Sequence, residues 1–149
     1  MTIDLSTITF TNQADIVPES GEDDIVNTGI ANTLAGNDTI TGSGIPSDDY
    51  SPNSGYGIYN TGTLNTAEGK DIITGTGDEV GIYNTGTFNT GEGKDIITGG
   101  DYEGIYNTGI YNTGTFNTAE GDDIITGKGG GTEAPLATPA RSIRAGVTT

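Results

Sequence analysis

The stretch Gly57-Ile58-Tyr59-Asn60-Thr61-Gly62-Thr63-Leu64-Asn65-Thr66-Ala67-Glu68-Gly69-Lys70-Asp71-Ile72-Ile73-Thr74-Gly75 decides the fold, because the chain repeats it. It returns from Gly81 to Gly99 with few changes. It returns again from Gly104 to Gly127, carrying one additional pentapeptide, Ile110-Tyr111-Asn112-Thr113-Gly114. A weaker copy from Asp24 to Gly42 aligns without gaps, matching Asn27 to Asn60, Gly29 to Gly62, Asn32 to Asn65, Gly36 to Gly69, Asp38 to Asp71 and Gly42 to Gly75. Self-similarity of this length is the signature of a solenoid, in which each unit buries its apolar face only by stacking on the next.

The apolar spacing selects strands over helices. Tyr59 to Leu64 is 5 residues, Leu64 to Ile73 is 9, and Ile73 to Tyr83 is 10. No 3.6-residue period appears, and Gly interrupts nearly every segment, which disfavours a helix interior. Ile58-Tyr59-Asn60, Thr63-Leu64-Asn65 and Ile72-Ile73-Thr74 read as very short strands. The Asn-Thr-Gly and Glu-Gly-Lys-Asp segments between them read as turns, since Gly and Asn tolerate positive φ. Strands this close cannot form long-armed hairpins. The expected class is all-β: a right-handed parallel β-solenoid, a β-roll or β-helix, of short strands and Gly/Asn/Asp turns. Its core is a column of stacked Leu, Ile, Phe and Tyr.

Around this repeat the chain divides into unequal parts. Residues 1–20 carry Ile8, Phe10 and Ile16 in a β-like pattern and are expected to cap the first coil. The repeat solenoid is expected over 21–131, with a loop at 43–56 that contains Pro46 and Pro52. Residues 132–149, with Pro135, Pro139, Arg141 and Arg144, lack the repeat and are expected to form a disordered tail.

Composition narrows the chemistry. The 149 residues carry 21 acidic and 5 basic side chains, a formal charge of −16, so the chain repels nucleic-acid phosphates and anionic membranes and attracts cations or basic partners. With no Cys and no His, thiolate or imidazole metal sites and Ser–His or Cys–His catalytic pairs are excluded. Any bound metal is held by oxygen, as calcium and magnesium are. The opening Met1-Thr2-Ile3-Asp4-Leu5 lacks the basic and apolar regions of a Sec signal peptide, and no segment is long and apolar enough to span a bilayer. No catalytic residue is assigned, and the chain is not expected to be an enzyme.

The segments Ala35–Gly42, Glu68–Gly75, Glu92–Gly99 and Glu120–Gly127 resemble the hemolysin-type (RTX) calcium-binding nonapeptide, Gly-Gly-x-Gly-x-Asp-x-apolar-x. The resemblance implies Ca²⁺ as the bound ion, with Asp38, Asp71, Asp95 and Asp123 as carboxylate ligands and Gly36, Gly69, Gly93 and Gly121 supplying turn geometry and carbonyls. Asp24 is a fifth candidate without the nearby Gly. It further implies an extracellular structural or adhesive module, folding with Ca²⁺, exported by a type I-like route, with cell-surface or matrix components as partners. The sequence departs from the pattern: Asn-Thr-Gly or Asn-Thr-Ala replaces the opening Gly-Gly, and Lys70 and Lys94 adjoin the proposed ligands. The competing reading is that these Asp residues cap tight turns by accepting backbone N–H groups.

The Gly-Ile-Tyr-Asn-Thr and Gly-Thr-Phe-Asn-Thr segments are similar to pentapeptide-repeat proteins, which implies a second function, an acidic DNA mimic that binds a nucleic-acid enzyme. The Asn column (Asn60, Asn84, Asn107) and the Thr column (Thr74, Thr98, Thr126) read as hydrogen-bonded ladders, or, for a flat Thr array, as an ice- or carbohydrate-binding surface. The Tyr column (Tyr59, Tyr83, Tyr106, Tyr111) reads as stacked core, with sugar stacking as the alternative.

Overall fold

The computed structural model describes residues 1–18, 23–44, 55–101, 108–129 and 136–137. The chain starts with β1 (Thr2–Asp4), a single 3₁₀ turn at Leu5–Thr7, and β2 (Ile16–Val17). Four coils follow: β3 (Asp24–Asn27), β4 (Ile30–Asn32) and β5 (Thr39–Gly44); β6 (Tyr56–Asn60), β7 (Thr63–Asn65) and β8 (Ile72–Gly77); β9 (Val80–Asn84), β10 (Thr87–Asn89) and β11 (Ile96–Asp101); and β12 (Thr108–Asn112), β13 (Thr115–Asn117) and β14 (Ile124–Gly127). A last short strand, β15, covers Leu136–Ala137.

Every third strand stacks on its counterpart, so the coils form a parallel β-solenoid with three faces. Face A runs β1-β3-β6-β9-β12-β15, face B runs β2-β5-β8-β11-β14, and face C runs β4-β7-β10-β13. The register pairs like with like: Asn60 with Asn84, Leu64 with Phe88, Ile73 with Ile97. The ungapped coil is 24 residues, from Asn60 to Asn84; the coils before and after it step 33 and 28 residues. Both surpluses fall between face B and face A, so extra residues enter at one corner only.

Three inward columns make the core. Ile25, Ile58, Ile82 and Ile110 come from face A, Ala31, Leu64, Phe88 and Phe116 from face C, and Ile40, Ile73, Ile97 and Ile125 from face B. Phe88 and Phe116 stack at 4.8 Å between centroids. Leu5 and Phe10 close the N-terminal end of these columns. Where faces A and B converge, no side chain separates them: a Cβ on Gly75 would lie 2.2 Å from the Gly81 carbonyl oxygen, and one on Gly99 would lie 2.0 Å from that of Gly109. Glycine there lets two backbones touch and sets the sharp corner of the coil.

Four expectations change. Tyr59, Tyr83 and Tyr111 are not core; they stack outside face A, with centroids 5.1 and 5.0 Å apart and rings tilted by 9° and 10°. Side chains alternate along a strand, so burying Ile58 and Asn60 sends Tyr59 outward. In the fourth coil the pentapeptide 110–114 is the in-register copy, because Ile110 pairs with Ile82 and Asn112 continues the Asn column. Tyr106 and Asn107 lie outside the described residues. The loop is shorter than 43–56, since Ser43 and Gly44 belong to β5 and Tyr56 begins β6; residues 45–54 lie outside the described residues. Within 132–149, Leu136–Ala137 is not tail but pairs with Ile110–Tyr111 of β12; the other residues of that segment lie outside the described residues. Of the N-terminal part, β1 and β2 extend faces A and B as a partial coil.

Candidate functional site

The corner from face C to face B carries the proposed ligands. Its first residue is a buried threonine, Thr33, Thr66, Thr90 or Thr118, which points inward. Next comes a left-handed residue: Leu34 at φ 67°, Ala67 at 62°, Gly91 at 80° and Ala119 at 51°. The corner then passes through the glycine column and enters the aspartate before the face B strand.

The glycine column is a stacking device. Backbone N–H groups of Gly36, Gly69 and Gly93 donate to the carbonyls of Glu68, Glu92 and Glu120 one coil on, at 2.9, 3.0 and 2.9 Å. The coils approach so closely here that a Cβ on Gly69, Gly93 or Gly121 would sit 1.6, 1.5 and 1.5 Å from the carbonyl oxygen of the preceding glycine. These carbonyls therefore lie against the next coil's backbone.

The aspartates form a ladder inside the coil. Asp38, Asp71 and Asp95 are 2%, 0% and 0% exposed. The Oδ1 atoms of Asp38, Asp71, Asp95 and Asp123 accept the backbone N–H of Asp15, Asp38, Asp71 and Asp95 in turn, at 2.9, 2.8, 3.0 and 3.0 Å. Each carboxylate thus caps the coil before its own. The second oxygen differs along the column. Asp38 Oδ2 accepts the Thr33 hydroxyl. Thr66 instead gives its proton to the Thr90 carbonyl at 2.9 Å. Asp71, Asp95 and Asp123 keep a buried Oδ2 with no donor, and Thr90 Oγ1 is also unpartnered.

Burial disfavours the charged form of Asp71 and Asp95. It pushes Asp71 up to about 6, helped by the charges of Asp95 and Asp38 and opposed by the Asp38 N–H. Burial raises Asp95 as well, with the Asp123 charge adding to it. A native carboxyl that holds its proton longer than the unfolded one contributes stability below the ordinary value of 3.8, and that stability is lost as pH rises through about 6. In chelator, melting should therefore occur several degrees higher at pH 5 than at pH 7.5. The free-energy change is of order 1–3 kcal/mol. Asp71→Asn should flatten this slope, whereas a slope unchanged in that variant would assign it to the overall charge.

The exposed side of the same corner carries Glu68, Lys70, Glu92, Lys94, Glu120 and Asp122. Among the described residues, no three acidic side chains converge on a point that could hold a metal ion. Asp24 stands apart from the ladder: it opens β3 on face A and accepts the Thr2 hydroxyl at 2.7 Å. The threonines are the members of this site that motif reading passed over. Their signal was present, a Thr five residues before each Asp in all four copies.

No family model, no curated protein and no solved structure matches this chain.

Proposed function

We propose that this chain is a structural or adhesive repeat module working outside the cell, and that its aspartate column takes up Ca²⁺. The observation that supports this reading is the row of donorless Oδ2 atoms on Asp71, Asp95 and Asp123, one per coil. An orphaned buried carboxylate oxygen calls for a proton or a cation, and the donor set, all oxygen, suits a hard cation. Oδ1 of each aspartate is already committed to a backbone N–H, so a bound ion draws on Oδ2, the Thr90 hydroxyl and water. That is a modest ligand charge, which points to the ~10⁻⁴–10⁻³ M affinities of extracellular modules. Neutralising one of the 21 acidic groups per coil also relieves repulsion along the rod. No helix among the described residues is long and apolar enough to cross a membrane.

Calcium titration followed by circular dichroism and calorimetry tests the reading. Ca²⁺ at ten times its dissociation constant should add about 1.4 kcal/mol per site, and equal Mg²⁺ much less. Asp95→Asn should remove the share of that gain due to its own coil, leaving the sites at Asp71 and Asp123, and should keep metal-free stability equal or higher, because it removes a carboxylate that burial disfavours. Asp48→Asn, which removes the same charge in the 45–54 segment, should keep the full calcium response. Superimposable melting curves in Ca²⁺ and in chelator would overturn the proposal.

A further inference from the structure

Face B presents an outward surface unlike the rest of the molecule. Its strands carry three outward columns in register. The first is Ile16, Thr39, Ile72, Ile96 and Ile124; the second is Thr41, Thr74, Thr98 and Thr126; the third begins Ser43, Thr76, Gly100. Ile16, Ile72 and Ile124 are 59, 38 and 47% exposed, so apolar surface is held in water. In a chain of net charge −16, no charged residue falls in the first two columns; exposed Lys128 follows Gly100 in the third, and Lys70, Lys94 and Asp122 border the face two residues ahead of Ile72, Ile96 and Ile124. Among the described residues, the hydroxyls of the second column have no protein partner.

We infer that this face is an ice-binding surface. Successive coils place like side chains about 4.8 Å apart, and alternate residues along one strand place columns about 6.6 Å apart. Both repeats lie close to oxygen repeats on ice lattice planes. Each Thr offers one hydroxyl to bond a lattice water and one methyl that orders the water around it, and the Ile column extends the methyl surface. The array is rigid because the internal Asn and Asp ladders pin every coil to the next.

Other occupants fit less well. Protein interfaces draw on aromatic and Arg anchors, and face B has neither. Sugars need free aromatic faces, but the Tyr rings lie on face A and stack against one another. Face C has equally regular Thr63, Thr87 and Thr115, yet its Asn column bonds internally, Asn65 Nδ2 to Asn32 Oδ1 and Asn89 Nδ2 to Asn65 Oδ1, both at 2.7 Å. Its three-residue strands leave only two columns.

The test is ice recrystallisation and thermal hysteresis with the full chain, run in Ca²⁺ and in chelator. The wild type should slow recrystallisation wherever circular dichroism shows it folded. Thr98→Lys, placing a long charge in the centre of face B, should remove the effect with the β spectrum unchanged. Thr87→Lys, the same change on face C, should retain it, and so should Thr98→Ser if hydroxyl position suffices at one site. No activity in folded wild type, or equal loss in both Lys variants, would overturn the inference. So would retention of the folded chain by crystalline cellulose or chitin without any effect on ice. None of these outcomes depends on calcium being bound.

Discussion

Gly93→Ala should unfold much of the solenoid, whereas Gly100→Ala, seven residues on, should leave its stability within about 0.5 kcal/mol of wild type. At Gly93 the new Cβ would fall 1.5 Å from the carbonyl oxygen of Gly69, and the φ of 151° is one that side chains rarely adopt. The obstacle is backbone, so no rotamer change relieves it. The third coil would have to lift off the second, stretching the Gly69–Glu92 and Asp71–Asp95 hydrogen bonds together. A loss of about 4 kcal/mol or more is expected, in the range reserved for steric faults in a packed interior. At Gly100 a Cβ meets nothing within 4 Å, since the position faces outward from β11. Melting monitored by circular dichroism decides the matter: near-equal transitions in the two variants would mean that the coils are not stacked this closely.

Asn84→Ala should be the second most damaging single change, at about 3 kcal/mol. Asn84 is fully buried and works in both directions along the axis. Its Oδ1 accepts from Asn60 Nδ2 at 2.6 Å, while its own Nδ2 donates to Asn112 Oδ1 at 2.6 Å and to the Thr115 carbonyl at 3.0 Å. Alanine removes these bonds and leaves acceptors on the next coil buried and unpaired, the expensive case for a polar group. Asn84→Asp should be at least as harmful, because a carboxylate can accept from Asn60 but cannot donate to Asn112 and carries a buried charge. Asn89→Ala is the comparison: its Nδ2 bond to Asn65 Oδ1 lies on the partly exposed outside of face C, where water replaces it, and less than about 1 kcal/mol should be lost. Urea denaturation of the three variants measures this, and equal losses at Asn84 and Asn89 would contradict an internal ladder.

Much of the coil was legible before any coordinates. The gapless match of Asp24–Gly42 to Gly57–Gly75 is the same alignment that the strand register reproduces, column by column, in Asn27 with Asn60 and Ile40 with Ile73. A repeat that stacks on itself writes its register into its spacing, so the sequence alone is enough. The Asp and Gly columns were legible for the same reason. What they do was less so: the turn-capping alternative describes Oδ1 of each aspartate, and the donorless Oδ2 emerges only from the hydrogen-bond partners.

Determined by the sequence itself are the parallel stacking, the short strands, the turn residues at each corner and the acidic, oxygen-only chemistry. These are local properties, set by glycine and asparagine conformations and by a period that repeats. The tertiary structure alone decided the rest. In Ile58-Tyr59-Asn60 both apolar residues had an equal claim on the core, and burial of Asn60 in its ladder, two positions from Ile58, sent the tyrosine out. In the fourth coil two near-identical pentapeptides competed for one place, and pairing of Ile110 with Ile82 gave it to the second. Closure into three faces followed from backbone contact between Gly75 and Gly81, residues whose meeting no local rule specifies. Each choice depends on what lies across the coil or on the next coil, and a neighbour on the next coil, such as Asn84 for Asn60, is 24 or more residues away along the chain.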